Sequence, residues 1–121
     1  MINAKELYYS ILNDERLTSL VEDIFDSYPE TIETFPCVVF QEENQSDIEF
    51  ADNQPIGDDI SVQIHIFTKA MASYPTTSEI GLVINTLMHE YYFSCRTNRE
   101  VPDVEDNIRH RVMTFGKSLL S

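Results

Sequence analysis

Three histidines and two cysteines are the side chains best suited to metal or nucleophilic chemistry in this sequence. His65, His89 and His110 are scattered, with no Cys or carboxylate at ligand spacing. His89-Glu90 matches the start of the HExxH zinc helix, but Phe93 stands where that motif needs its second histidine. His65 falls on the polar side of an alternating segment, where solvent or a cross-strand partner would satisfy it. His110 lies between Arg109 and Arg111, a setting that disfavours a bound cation. Cys37 and Cys95 belong to no CxxC pair, and each sits in an apolar or aromatic setting, Pro36-Cys37-Val38-Val39-Phe40 and Tyr92-Phe93-Ser94-Cys95. They read as buried, reduced thiols acting as small hydrophobes. The functional alternative, a Cys95 nucleophile with a histidine base, has no local signature.

Carboxylate pairs such as Glu42-Glu43 and Asp58-Asp59 are frequent. Successive residues on a strand point to opposite faces, so these pairs form no dyad and read as a solvated acidic surface. The EF-hand pattern is absent. The 3 glycines are too scattered for a phosphate cradle, and there is no GxSxG elbow. These residues predict a non-enzymatic binding or assembly module with no cofactor and no metal.

The 121 residues suit a single domain spanning 1–121, large enough to bury a core without disulfides. A hydrophobic content of 42%, with 11% aromatic, excludes a disordered chain. No apolar run reaches the ~20 residues needed to cross a bilayer. The N-terminal residues lack the pattern of a secretory signal, so the expected location is the compartment of synthesis. The net charge of -13 opposes sequence-independent nucleic-acid binding and adhesion to anionic membranes. That charge is uneven. Residues 1–60 carry 15 acidic and 2 basic side chains, whereas residues 61–121 carry 6 of each. The asymmetry predicts an oriented surface, with a general solubility device as the alternative.

The elements follow from periodicity. Ala4, Leu7, Tyr8, Ile11 and Leu12 fit a helix over 4–13, and Asn3 with Glu6 has capping-box spacing. Leu17 to Val21 continues as a short turn. Asp23 to Pro29 reads as a short strand, and Pro36 to Glu42 as a second. Residues 43–59 read as a long acidic hairpin, mobile in the free protein. Ile60, Val62, Ile64 and Ile66 alternate with Ser61, Gln63, His65 and Phe67, a half-buried strand. Thr76 and Glu79 open an amphipathic helix carrying Ile80, Val83, Ile84, Leu87, Met88 and Tyr91. Tyr92 to Thr97 reads as a strand and Arg99 to Asp103 as a turn. Val104 to Phe115 reads as the last strand, with Ile108, His110, Val112 and Thr114 on one face, Arg109, Arg111, Met113 and Phe115 on the other, and Gly116 ending it. The expected fold is α+β, in the order α-β-β-β-α-β-β, with a mainly antiparallel sheet and two helices on one face. Its core joins Leu7, Tyr8, Ile11 and Leu12 to Ile80, Val83, Ile84 and Leu87 and to the Ile60–Ile66 strand.

Two interaction surfaces remain. Arg96, Arg99, Arg109 and Arg111 cluster late in the chain, while acids dominate before position 60. Opposite charges at two places favour head-to-tail association, which closes into a ring when the rotation allows. Strand-edge protection against aggregation is the alternative.

Taken in order, Leu7-Tyr8-x-x-Ile11-Leu12, Leu17-x-x-Leu20-Val21, Ile24-Phe25, Phe35-Pro36-Cys37-Val38-Val39-Phe40, the acidic hairpin, the Ile60–Phe67 strand, helix 79–93 and Arg109-His110-Arg111-Val112-Met113-Thr114-Phe115 resemble the tail-completion or tail-terminator proteins of long-tailed bacteriophages and prophages. The resemblance spans nearly the whole chain as an order of elements, without a diagnostic motif. It implies an α+β protomer in a hexameric ring that caps the tail tube, ends its polymerisation and joins tail to head. The implied partners are further copies, the tail-tube protein and the head-connector or head-completion protein. The implied location is the host cytoplasm during assembly and then the virion neck. DNA would cross the lumen without tight binding, and an acidic lining would repel its phosphates. Within that reading the docking candidates are Glu42, Glu43, Asp47, Glu49, Asp52, Asp58 and Asp59 of the hairpin, with Arg109 and Arg111. The rival reading is an acidic DNA mimic that inhibits a nucleic-acid-binding protein; the charge-balanced second half argues against it.

Overall fold

The computed structural model describes residues 4–43, 59–102 and 107–118. The elements run α1 (Ala4–Leu12), α2 (Glu15–Thr18), β1 (Asp23–Phe25), β2 (Cys37–Glu42), β3 (Asp59–Lys69), α3 (Thr77–Glu90), β4 (Ser94–Val101) and β5 (Ile108–Ser118). The apolar stripe of α1 buries Tyr8, Ile11 and Leu12. Asp14 then starts a separate turn of helix by accepting the Arg16 backbone N–H at 2.9 Å. This cap corrects the expected two helices to three among the described residues, and α2 buries Leu17.

The five strands form one sheet in the order β1-β2-β3-β5-β4. Among the described residues only β1 pairs in parallel, with β2; the other three ladders are antiparallel. The expected α+β class and mainly antiparallel sheet are present. The long strand β3 lies at the centre. Its Val62, Ile64 and Ile66 face the helices beside Val38 and Phe40 of β2 and Met113 and Phe115 of β5. Ile80, Ile84, Leu87 and Met88 of α3 and the stripe of α1 close this core, with Leu7, Ile60 and Val83 at its margin. On the opposite face Cys37, Val39 and Phe67 form a smaller apolar cluster under Phe25, Ile32, Phe35 and Ile108. Thus β3 is buried on both faces along much of its length, although its alternation predicts a half-buried strand.

Helix α3 is fixed at both ends. Thr76 Oγ1 accepts the Glu79 N–H at 3.0 Å, and Glu79 Oε1 accepts the Thr76 N–H at 3.0 Å. This reciprocal cap matches the expected spacing. A Cβ on Gly81 would sit 3.3 Å from Met113 Sδ, so glycine lets α3 lie close on β5. At the far end Tyr92 adopts a left-handed φ of 70°. Its N–H reaches His89 O at 2.9 Å, and the Phe93 N–H reaches Met88 O at 3.0 Å. These two bonds satisfy the last helical carbonyls and drop Phe93 into the core.

Several expected boundaries shift: β1 stops at Phe25, short of the expected Pro29, and the strand expected from Tyr92 opens at Ser94. β4 runs on through Arg99, Glu100 and Val101, where a turn is expected, because every one of these residues pairs with β5. Gly116 does not end β5; it pairs with Ser61 on one side and Ser94 on the other. A Cβ at Gly116 would fall on the Arg96 guanidinium, which crosses that space. The expected hairpin lies outside the described residues except for Glu43 and Asp59 at its two ends.

Candidate assembly surface

The docking candidates fall at separate places on the sheet. Glu42 ends β2 opposite Val62, and Glu43 follows it. The Glu43 N–H donates to Ser61 O at 3.0 Å, and Ser61 Oγ donates to Glu43 Oε1 at 3.0 Å. These bonds hold the root of the acidic segment against β3. Asp59 opens β3. Asp47, Glu49, Asp52 and Asp58 lie outside the described residues. Beneath this root, Tyr8 Oη is buried and has no hydrogen-bond partner among the described residues. Burial, reinforced by the negative charges of Glu42 and Glu43, raises the Tyr8 phenol well above its usual range.

Arg109 and Arg111 share the helix face of β5, as their spacing predicts. They sit opposite Thr68 and Ile66. Glu42 opposite Val62 and Arg109 opposite Thr68 are therefore roughly 20 Å apart along β3 at the usual rise per residue. Acidic root and arginine pair do not meet within one copy. The two arginines also differ. Arg111 is part-buried and donates to Asn98 Oδ1 at 2.8 Å, Ser78 Oγ at 3.0 Å, Thr77 Oγ1 at 3.2 Å and Glu100 Oε1 at 3.4 Å. It ties β5 and β4 to the first turn of α3. Arg109 is exposed and lines an open cleft with Lys69, Tyr74 and Thr76.

The histidines hold a contact that the sequence leaves open. His65 Nδ1 lies 3.0 Å from His110 Nε2 across the β3–β5 ladder, and His65 Nε2 lies 2.9 Å from Gln63 Oε1. The Gln63 oxygen can only accept, so the His65 proton sits on Nε2 and Nδ1 accepts from His110. Tyr28 packs edge-on to His65 at 4.9 Å, and Phe67 stacks on His110 at 4.2 Å. Cross-strand pairing is one of the two fates expected for His65; the partner follows from register, which no local spacing encodes. Among the described residues no three His, Cys, Asp or Glu side chains come together to hold a metal.

Burial, then the neighbouring His110, lowers the His65 pKa from 6.5 to about 4. In the unfolded chain this imidazole takes up its proton near pH 6.5. The folded protein resists protonation down to about pH 4. The stability that His65 contributes is therefore complete above pH 6.5 and drains away as pH falls toward 4. A His65→Gln variant should show a flatter Tm-against-pH curve in that window than the parent. Identical curves would mean that His65 titrates normally in the fold.

The thiols differ from expectation in one respect. Cys37 is buried, and burial pushes its thiol up to about 12. Cys95 is exposed, because β4 is an edge strand with little packed above it. Its Sγ donates to Thr97 O at 3.3 Å, and partial burial again raises its pKa. A raised pKa is opposite to the shift that activates a nucleophile.

No helix of the described residues is long and apolar enough to cross a membrane. No curated protein matches the chain. The sequence model of a family described as "Tail completion protein gp17" matches residues 5–116, from the second residue of α1 through the paired glycine of β5. That span includes the sheet ladders except the last two β3–β5 pairs, and the buried helix-face core, and the chain belongs to this family of phage tail-completion proteins.

Proposed function

We propose that this tail-completion protein acts as a hexameric ring that caps the tail tube, stops its growth and joins the tail to the head connector. Membership of the tail-completion family over residues 5–116 is the observation that carries this reading. The role is structural and non-enzymatic, performed in the host cytoplasm and then at the virion neck. The uneven charge supports it: an acidic surface repels the phosphates of DNA passing through the ring. Docking involves the carboxylates Glu42, Glu43, Asp47, Glu49, Asp52, Asp58 and Asp59, with Arg109 as the exposed cation. The tail tube meets one face of the ring and the head connector the other.

Tails assembled with and without the protein test this directly, through their length and head attachment in negative stain. Overlong or headless tails are expected without it; normal length and joining would refute the reading. Changing Glu42, Glu43, Asp47, Glu49 and Asp52 together to Gln or Asn removes charge at nearly constant size. Such rim charges steer encounter and choose partners. Joining of purified heads and tails should fall, most so at low salt, and the deficit relative to the parent should shrink as salt screens the parent's own attraction. Full activity of the folded variant across a salt series would remove these carboxylates from the docking surface.

A further inference from the structure

The two edges of the sheet carry opposite charge. At the β1 edge Glu22, Asp23 and Asp26 are exposed, and Lys5 of α1 lines the same cleft as Asp26. Arg96 and Arg99 of β4 are exposed and make no ion pair among the described residues; the Arg96 guanidinium lies over Gly116 of β5, one strand in from the edge, and Glu100 is taken by Arg111. In the order β1-β2-β3-β5-β4 these edges lie at opposite ends of the sheet, four spacings of about 4.8 Å apart. Each edge also presents a large aromatic side chain. Tyr9 is 46% exposed beside β1, where it shares a cleft with Glu22 and Ile24. Tyr92 is 81% exposed where the chain enters β4. Its left-handed backbone suits glycine better, so the fold bears a local cost to keep a solvent-facing tyrosine there.

Neither edge is built to extend the ladder. β1 has only three residues, too short an edge for a long ladder, and the Asp23 carboxylate takes the Ile24 N–H at 2.8 Å. β4 carries a bulge between Cys95 and Thr97. Such devices block open-ended strand pairing and leave side chains to make the contact. An edge that fits a different edge on the next copy makes a head-to-tail interface, the kind that closes into rings.

We infer that the β4 edge of one copy, through Arg96, Arg99 and Tyr92, docks on the β1 edge of the next, through Glu22, Asp26 and Tyr9. This rests on the ring reading above and names the contact that builds the ring.

Charge exchange tests it. In Arg96→Glu/Arg99→Glu both edges are acidic; in Glu22→Lys/Asp26→Lys both are basic. Circular dichroism and Tm first establish that each variant is folded. Completion of purified tails and sedimentation of the free chain are then measured for each variant, for their equal mixture and for the chain with all four changes. Like charges placed face to face should weaken association of each variant alone on the order of a hundredfold. The mixture and the four-change chain should regain the parental level, since every contact then joins acid to base. A Tyr92→Gly chain should fold at least as stably as the parent and associate less. Parental association by either variant alone, or no recovery on mixing, would overturn the contact. Tails completed equally by the parent and both variants would remove the contact and leave the proposed function standing. Recovery of association on mixing, with tails that need none of these proteins, would do the reverse.

Discussion

Replacing Phe40 with alanine should cost about 3–5 kcal/mol of stability, the range for removing a buried aromatic ring. Phe40 is fully buried on β2 opposite Ile64. Its ring meets Tyr8 edge-on at 6.1 Å, and Tyr8 meets Phe93 at 5.9 Å. One side chain thus links the sheet to α1 and, through Tyr8, to the turn after α3. Natural domains carry a net stability of only about 5–15 kcal/mol, so this change consumes a large share. Ile64→Ala and Leu87→Ala remove smaller side chains from the same core and should cost about 2–5 kcal/mol each. Urea unfolding checks all three through a lower midpoint at unchanged slope. A parental midpoint for any of them would place that side chain outside the core.

Arg111→Gln should destabilise the fold by about 1.5–3 kcal/mol, the scale of hydrogen bonds made by a charged group. Its guanidinium bridges three elements through Thr77, Ser78, Asn98 and Glu100. Glutamine is too short to reach all of them. Arg109→Gln, two residues away on an exposed site, should shift stability by less than about 0.5 kcal/mol. The paired measurement separates the two arginines. Arg111 acts first through the fold, so loss of tail joining in its variant must be read beside its Tm. A loss in Arg109→Gln at unchanged Tm would instead report docking. Equal stability of the two variants would refute the bridging role of Arg111.

The two arginines also show how far the sequence could be read. Their shared face followed from the period of two in β5, and so did the core residues Met113 and Phe115. The stripes of α1 and α3 and the Thr76–Glu79 cap were legible because each is a pattern within one turn or one helix. Strand β4 was legible only over its first half, within the expected strand from Tyr92 to Thr97; Asn98 to Val101 is almost wholly exposed and polar, so no apolar period marks it, and its place in the strand comes from pairing with β5. The three residues of β1 are too short to show that they run parallel to β2. The histidine pair and the Arg111 bridge depend on register and on where α3 begins above the sheet. Local spacing could place the docking arginines on one face. It could not tell the one that is committed to the fold from the one that is exposed.

The position of β5 between β3 and β4 sets the order of events during synthesis. Lys69 and Ile108 pair across 39 positions, and Asp59 and Ser118 across 59. Until Ile108–Ser118 has left the ribosome, β3 lacks one neighbour and β4 has none. Ladders between distant segments form slowly, because loop closure must precede the contacts that reward it. Any shorter nascent chain therefore leaves the β4 edge unseated, although β1, β2 and β3 can already pair. The topology works as a timer: the complete five-stranded sheet arrives in one late step.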